Sequence, residues 1–130
     1  MIAQRFRTNV VLDGVGGGEP GKFVSKLPLL RDAGYRVEVG LMSAPTNCAT
    51  ERMVARGLKT GRFVRLGTLK GGHCDSIARH LEWRDLDLID RWRLYDTTAR
   101  RAKIVAEGGG GEVRILDRER YEATLEKANE

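Results

Sequence analysis

The chain has 130 residues, 41% of them hydrophobic and 32% charged, with a formal net charge of +5. That length suits a single domain over 1–130 with a core of its own. The composition excludes a disordered chain, and no stretch approaches the length of an apolar membrane span. The positive charge is compatible with anionic partners in general. The basic residues are scattered among acidic ones, however, so no arginine or lysine run marks a nucleic-acid arm, and nucleic acid is not an expected partner. Two cysteines, Cys48 and Cys74, make no disulfide framework. The N-terminus has Arg5 and Arg7 and lacks the apolar core of a signal peptide, so the expected compartment is the cytoplasm.

In chain order, Val10, Val11 and Leu12 form a short apolar run that predicts a buried strand over 8–12. A loop rich in glycine follows. Phe23, Val24, Leu27 and Leu30 recur at helical spacing and predict a helix over 21–33, kinked or divided by Pro28 and stopped by Gly34. Val37, Val39 and Leu41 alternate, predicting a strand over 35–42. Strand, helix and strand joined by short loops read as a right-handed parallel crossover. Thr46 or Asn47 opens a helix to about Arg56, stopping at Gly57. A loop over 59–67 precedes a helix over 68–81, weakened at Gly71 and Gly72. Residues 92–96, 103–106 and 113–116 read as strands, with a glycine turn at 108–111, and Asp117 caps a C-terminal helix. The expected class is α/β, a small, mostly parallel sheet flanked by helices.

Three places invite chemistry. Asp13 sits where the first strand ends, and ligands of open α/β sheets bind at that edge. Arg52, Arg56 and Arg62 follow the next strand. A carboxylate facing arginines suits phosphate or sugar-phosphate ligands; the plain alternative is an Asp capping a turn beside solvated arginines. Residues 16–22 match the spacing Gly, four residues, Gly-Lys, between a strand and a helix. Lys22 would then supply charge to a phosphate. The next residue is Phe23 where a magnesium-binding hydroxyl is required, so a glycine-rich turn with a surface lysine is the competing reading. His73 and His80 stand seven apart, about 10.5 Å in helical rise, too far for one ion without ligands between them. No metal site is expected, and a buried Cys74 with a hydrogen-bonded His73 is the default. Ser25, Ser43 and Ser76 lack a nucleophile elbow.

Taken together, Asn-Val-Val-Leu-Asp-Gly-Val-Gly (9–16), Asp-Ala-Gly-Tyr-Arg-Val (32–37), Ser-Ala-Pro (43–45), Glu-Arg-Met (51–53), Thr-Gly-Arg (60–62) and Arg-Leu-Tyr-Asp (93–96) resemble the C-terminal half of a zeta-toxin kinase domain. The resemblance rests on their order and spacing. It implies a truncated P-loop-kinase-like fold, and a family activity in which UDP-N-acetylglucosamine or a related nucleotide sugar is phosphorylated with ATP and magnesium under restraint by an antitoxin. By resemblance Asp13 lines the sugar site, while Arg52 and Arg62 hold phosphates and steady the transferring group, a role suited to arginine. The departures are Val15 where the family commonly has Thr, and Phe63-Val64 where it often has Val-Pro.

The family's phosphate loop and catalytic base lie upstream of the matching region. On this alignment the spacing at 16–22 is accidental, Arg52 and Arg62 are vestigial, and the chain alone is expected to have no kinase activity and no cofactor. ATP and magnesium enter only if a partner supplies the phosphate loop. Three functions follow: a shortened relative binding a partner protein or an anionic nucleotide-sugar-like ligand; half of a split nucleotide-sugar kinase; or a structural component of a phage or other assembly. Half a kinase sheet exposes apolar surface, so a homo-oligomer or a partner completing the sheet is expected.

Overall fold

A computed structural model of the protein describes residues 8–11, 24–84 and 86–129. Asp13 and Lys22, with the whole of the glycine loop, lie outside the described residues. Among them the architecture is α/β: helices α1 (Leu27–Asp32), α2 (Thr46–Thr60), α3 (Leu66–Trp83) and α4 (Arg118–Glu126), and strands β1 (Glu38–Ser43), β2 (Arg91–Asp96), β3 (Lys103–Gly109) and β4 (Glu112–Ile115). A 3-10 turn, Val24–Lys26, precedes α1 and another, Lys127–Asn129, follows α4. The strands form one open sheet in the order β1-β2-β3-β4.

The expected mostly parallel sheet is mixed among the described residues. Only β1 and β2 are parallel; β2–β3 and β3–β4 are antiparallel. Loop length decides this. A parallel connection needs a crossover, which α2 and α3 supply between β1 and β2. The segment 97–102 is too short for one, and β3 returns through Gly110-Gly111, whose φ values of 60° and 83° suit a tight hairpin turn. Residues 8–11 belong to no ladder. They lie against the body instead: the Tyr35 hydroxyl donates to the Thr8 carbonyl at 2.9 Å, and Val10 lines a groove with Leu27, Leu30 and Val39.

Several boundaries move for local reasons. Pro28 does divide the predicted helix, because it sits in the first turn of α1, where a missing N–H costs little. Gly34 stops that helix at φ 85° as expected. Gly57 does not stop α2; it is buried because the Phe63 ring packs on its bare Cα, and the stop falls at Gly61, φ 74°. Helix α3 runs through Gly71 and Gly72.

The core lies between the helices and one sheet face. Trp92 and Leu94 of β2 are buried there with Leu27, Val37, Trp83, Ile89, Val105, Ala106 and Tyr121. A bulge between Leu94 and Tyr95 makes Val105 the extra residue of β3, so both Val105 and Ala106 face inward. The Val105 carbonyl then accepts from the amides of Leu116 and Asp117, steering the chain into α4. Asp117 caps α4 by accepting from the Arg120 amide at 3.1 Å.

His80 is fully buried in this core. Its ring stands edge-on to Trp83 and Trp92, with centroids 4.8 and 5.0 Å away, and neither nitrogen has a hydrogen-bond partner among the described residues. Burial, with the nearby Arg84 charge, pushes its pKa from 6.5 down to about 4. The Arg84 guanidinium lies 5.4 Å from the centre of the Trp92 ring and donates to the Tyr121 hydroxyl at 2.6 Å. The side chain of His73 lies outside the described set.

Candidate functional site

The parallel pair β1–β2 ends at Ser43 and Asp96, which are register partners. Beyond them lies a cleft of ≈ 320 Å³ walled by Ser43–Asn47, Asp96, Arg120 and Lys127, among others. This is the edge where open α/β sheets place ligands.

Each wall has a local cause. After β1, Ala44-Pro45 turns the chain into α2, and Pro45 at the N-cap has no side chain able to cap it. The first amides of α2 therefore face the cleft region without a side-chain acceptor from the cap, and a helix N-terminus favours negative charge. After β2, Asp96 folds the next residues back on itself: its Oδ1 accepts from the Thr98 amide at 2.9 Å and the Thr98 hydroxyl at 2.6 Å. Its Oδ2 lies 3.4 Å from Arg120 Nε. Burial alone would raise the Asp96 pKa, but the Thr98 hydroxyl and amide outweigh it, helped by Arg120 and Lys103, and the carboxyl is held below the usual range. The Thr97 amide donates to the Ser43 carbonyl at 2.8 Å, tying the two strand ends.

Lys127 comes from the far end of the chain. It is buried at 4% exposure, and its ammonium donates to Ser43 Oγ at 2.8 Å and to the Ala44 carbonyl. Two cations, Arg120 and Lys127, thus meet a helix N-terminus in one cleft, together with two carboxylates, Asp96 and Glu126.

Of the residues expected from sequence, Arg52 reaches this edge. Its Nη2 donates to the Thr97 and Thr98 carbonyls at 2.6 and 2.7 Å, which braces the loop after β2. Arg56 and Arg62 are exposed, and Arg62 follows the far end of α2, eight residues or about 12 Å of rise beyond Arg52 at Thr60. No described contact ties Arg62 to the cleft. Asp96, Arg120 and Lys127 were missed. Asp96 had a signal, a carboxylate ending an apolar strand before Thr-Thr; Lys127 had none.

The arrangement can hold an anion through charge-assisted hydrogen bonds. It shows no poised base: a carboxylate kept ionised and paired, as Asp96 is, is a weak proton acceptor. Its oxygens are committed to Thr98 and Arg120, so it offers magnesium no ready seat. Among the described residues no group of three or more His, Cys, Asp or Glu is placed to hold a metal, and no helix is long and apolar enough to cross a membrane.

The class defined so far is a two-layer α/β domain with an anion-compatible cleft at the ends of its parallel strands. Comparison with protein-family models, with curated proteins and with solved structures finds no match.

Proposed function

We propose that this protein binds a phosphate-bearing small ligand, of nucleotide-sugar type, in the cleft beyond β1 and β2, and does not itself transfer phosphate. The observation that carries the reading is the N-terminus of α2, without a side-chain cap, opening beside Arg120 at the ends of the parallel strands. The resemblance of the segments around Ser-Ala-Pro (43–45) and Arg-Leu-Tyr-Asp (93–96) to zeta-toxin kinases supports the ligand class, since both segments border the cleft. Binding without transfer follows from the engaged state of Asp96 and Arg52. A partner protein remains part of this reading: Val54, Leu58, Phe63 and Val64 are exposed on and just after α2, and such groups mark contact surfaces.

The test is titration of UDP-N-acetylglucosamine and of inorganic phosphate, followed by amide chemical shifts. Shifts at 44–48 and 96–98 that saturate with the nucleotide sugar, and that weaken at least tenfold in Arg120→Ala, are expected. Shifts absent there, or unchanged in the variant, would remove the reading.

A second reading is half of a split ATP-dependent kinase. What favours it is β1, which among the described residues pairs on one side only. An ATP-consumption assay with the nucleotide sugar separates the two. The first reading expects no turnover by the purified chain; turnover that appears only on adding a protein bearing a phosphate loop would favour the second.

A further inference from the structure

The sheet face opposite the core is balanced in charge. Strand register sets Arg91, Arg93 and Arg114 there with Glu38, Glu107 and Glu112. Glu107 pairs with all three arginines. Helix α2 is different: of its 15 residues only Gly57 is buried. Glu51, Val54 and Leu58 follow one another at three and four residues, so they share one side of the helix. All three are exposed, Leu58 at 78%. Gly57, three residues after Val54, carries the Phe63 ring, which is itself 61% exposed and widens the apolar row. Arg62 comes just past the helix end, after the left-handed turn at Gly61. From its N-terminal end this side reads acid, apolar, apolar, with a base beyond the last turn.

The two end charges are uncommitted. Neither the Glu51 nor the Arg62 side chain has a hydrogen bond or ion pair among the described residues. The other cations of α2 stay off the row. Arg52 and Arg56 are each two residues from Val54, about 160° round the helix. Arg52 is also occupied by the Thr97 and Thr98 carbonyls. Lys59 lies about 100° from Leu58, on the flank.

We infer that this side of α2 is a contact between two copies of the chain, packed antiparallel about a two-fold axis. Such a contact needs a patch that complements itself. An antiparallel pair that sets Val54 on the partner's Leu58 also sets Leu58 on the partner's Val54. The same register places Glu51 opposite the partner's Gly61, one residue from the partner's Arg62. Ion pairs thus close both ends of an apolar strip, and the opposed helix dipoles attract. Arg52 and Arg56 of each copy point away from the contact. An anionic lipid surface would meet the Glu51 carboxylate at the head of the row. A nucleic acid strand gains nothing from Val54 and Leu58, which offer neither charge nor a ring to stack. A different protein would have to carry the same order of acid and base in reverse, which this chain already supplies. The inference rests on the partner-protein part of the reading above and makes that partner a second copy.

Sedimentation velocity over a concentration series tests this, since a single helix pair is a small, reversible contact. Wild type should pass from monomer to dimer as the concentration rises toward the millimolar range. Leu58→Glu, Glu51→Arg and Arg62→Glu should each weaken association at least tenfold, with circular dichroism confirming the fold. Arg56→Ala, on the far side of α2, should change nothing. The deciding arm mixes Glu51→Arg with Arg62→Glu. Each variant alone opposes like charges at both ends, whereas the mixed pair opposes unlike ones, so association should return in the mixture. A monomer at every concentration, a dimer indifferent to these folded variants, or a mixture no better than its components would overturn the inference. So would Leu58-dependent co-sedimentation of a monomer with phosphatidylserine vesicles, which would assign the row to a lipid surface. Ligand titration of Leu58→Glu, followed at 44–48 and 96–98, reads the cleft separately, so failure of the dimer and failure of the ligand reading are distinguishable.

Discussion

The ammonium of Lys127 donates to Ser43 Oγ at 2.8 Å across 84 positions of sequence, and both residues are buried. This bond fastens the turn after α4 to the end of β1. It also closes one side of the cleft, so the last described turn of the chain helps build the site at its centre.

Lys127→Ala should therefore destabilise the fold, because it leaves the buried Ala44 carbonyl and Ser43 hydroxyl short of a donor, at about 1–3 kcal/mol. Lys127→Met should cost less, since it keeps the packed stem. Urea unfolding of the three proteins measures this; a Lys127→Ala midpoint equal to wild type would refute the strut.

His80 predicts an acid-sensitive core. Its folded pKa, about 4, is below the ordinary 6.5, so between those values the unfolded chain binds more protons. The stability is complete above about pH 6.5 and is lost as pH falls toward 4, by roughly 3 kcal/mol for this shift. His80→Leu should flatten the stability curve across that window. An unchanged slope in the variant would assign the acid sensitivity to other groups.

Two glycines should respond oppositely to alanine. At Gly108 a Cβ would stand 2.7 Å from the Trp92 ring and press on the Glu112 carbonyl, so Gly108→Ala should cost about 1–3 kcal/mol. Around Gly71, inside α3, nothing lies within 4 Å. Gly71→Ala should add about 0.5–1 kcal/mol through helix propensity. Thermal melts in one buffer check both signs.

Asp90 joins the start of β2 to the chain before β1. Its carboxylate accepts from the buried Val37 amide at 2.7 Å and from Arg31 at 2.5 Å, while its own amide donates back to the Val37 carbonyl at 2.9 Å. The Arg31 hydrogen bond and the Val37 amide hold the carboxyl below its usual pKa, so this contribution is present at neutral pH and lost on acidification through the carboxylate range. Asp90→Ala should cost about 1–3 kcal/mol for the stranded Val37 amide. Asp90→Asn, which keeps an acceptor, should cost less. Equal losses in denaturant titrations would show that charge, not the Val37 bond, dominates.

Periodicity made most elements legible. The alternation Val37-Val39-Leu41 placed β1, the Asp117 cap placed α4, and Gly34 placed the end of α1, because each depends on residues within a few positions. The boundary at Gly57 failed because the ring that shelters it arrives from Phe63, in the next loop. Sheet direction failed in part because it depends on how far each loop can reach, which apolar pattern does not record.

The site divides in the same way. The sequence by itself brought Arg52 to the right edge, while the carboxylate it singled out, Asp13, lies outside the described residues. Only the tertiary structure decided that Arg52 braces carbonyls, that Lys127 returns from the C-terminal end to Ser43, and that Arg91, Arg93 and Arg114 share one face. Those relations are set by strand register and by packing between distant segments. Local residue choice carries no signal of either, so residues scattered in sequence became a cleft and a charged sheet face only when the sheet was assembled.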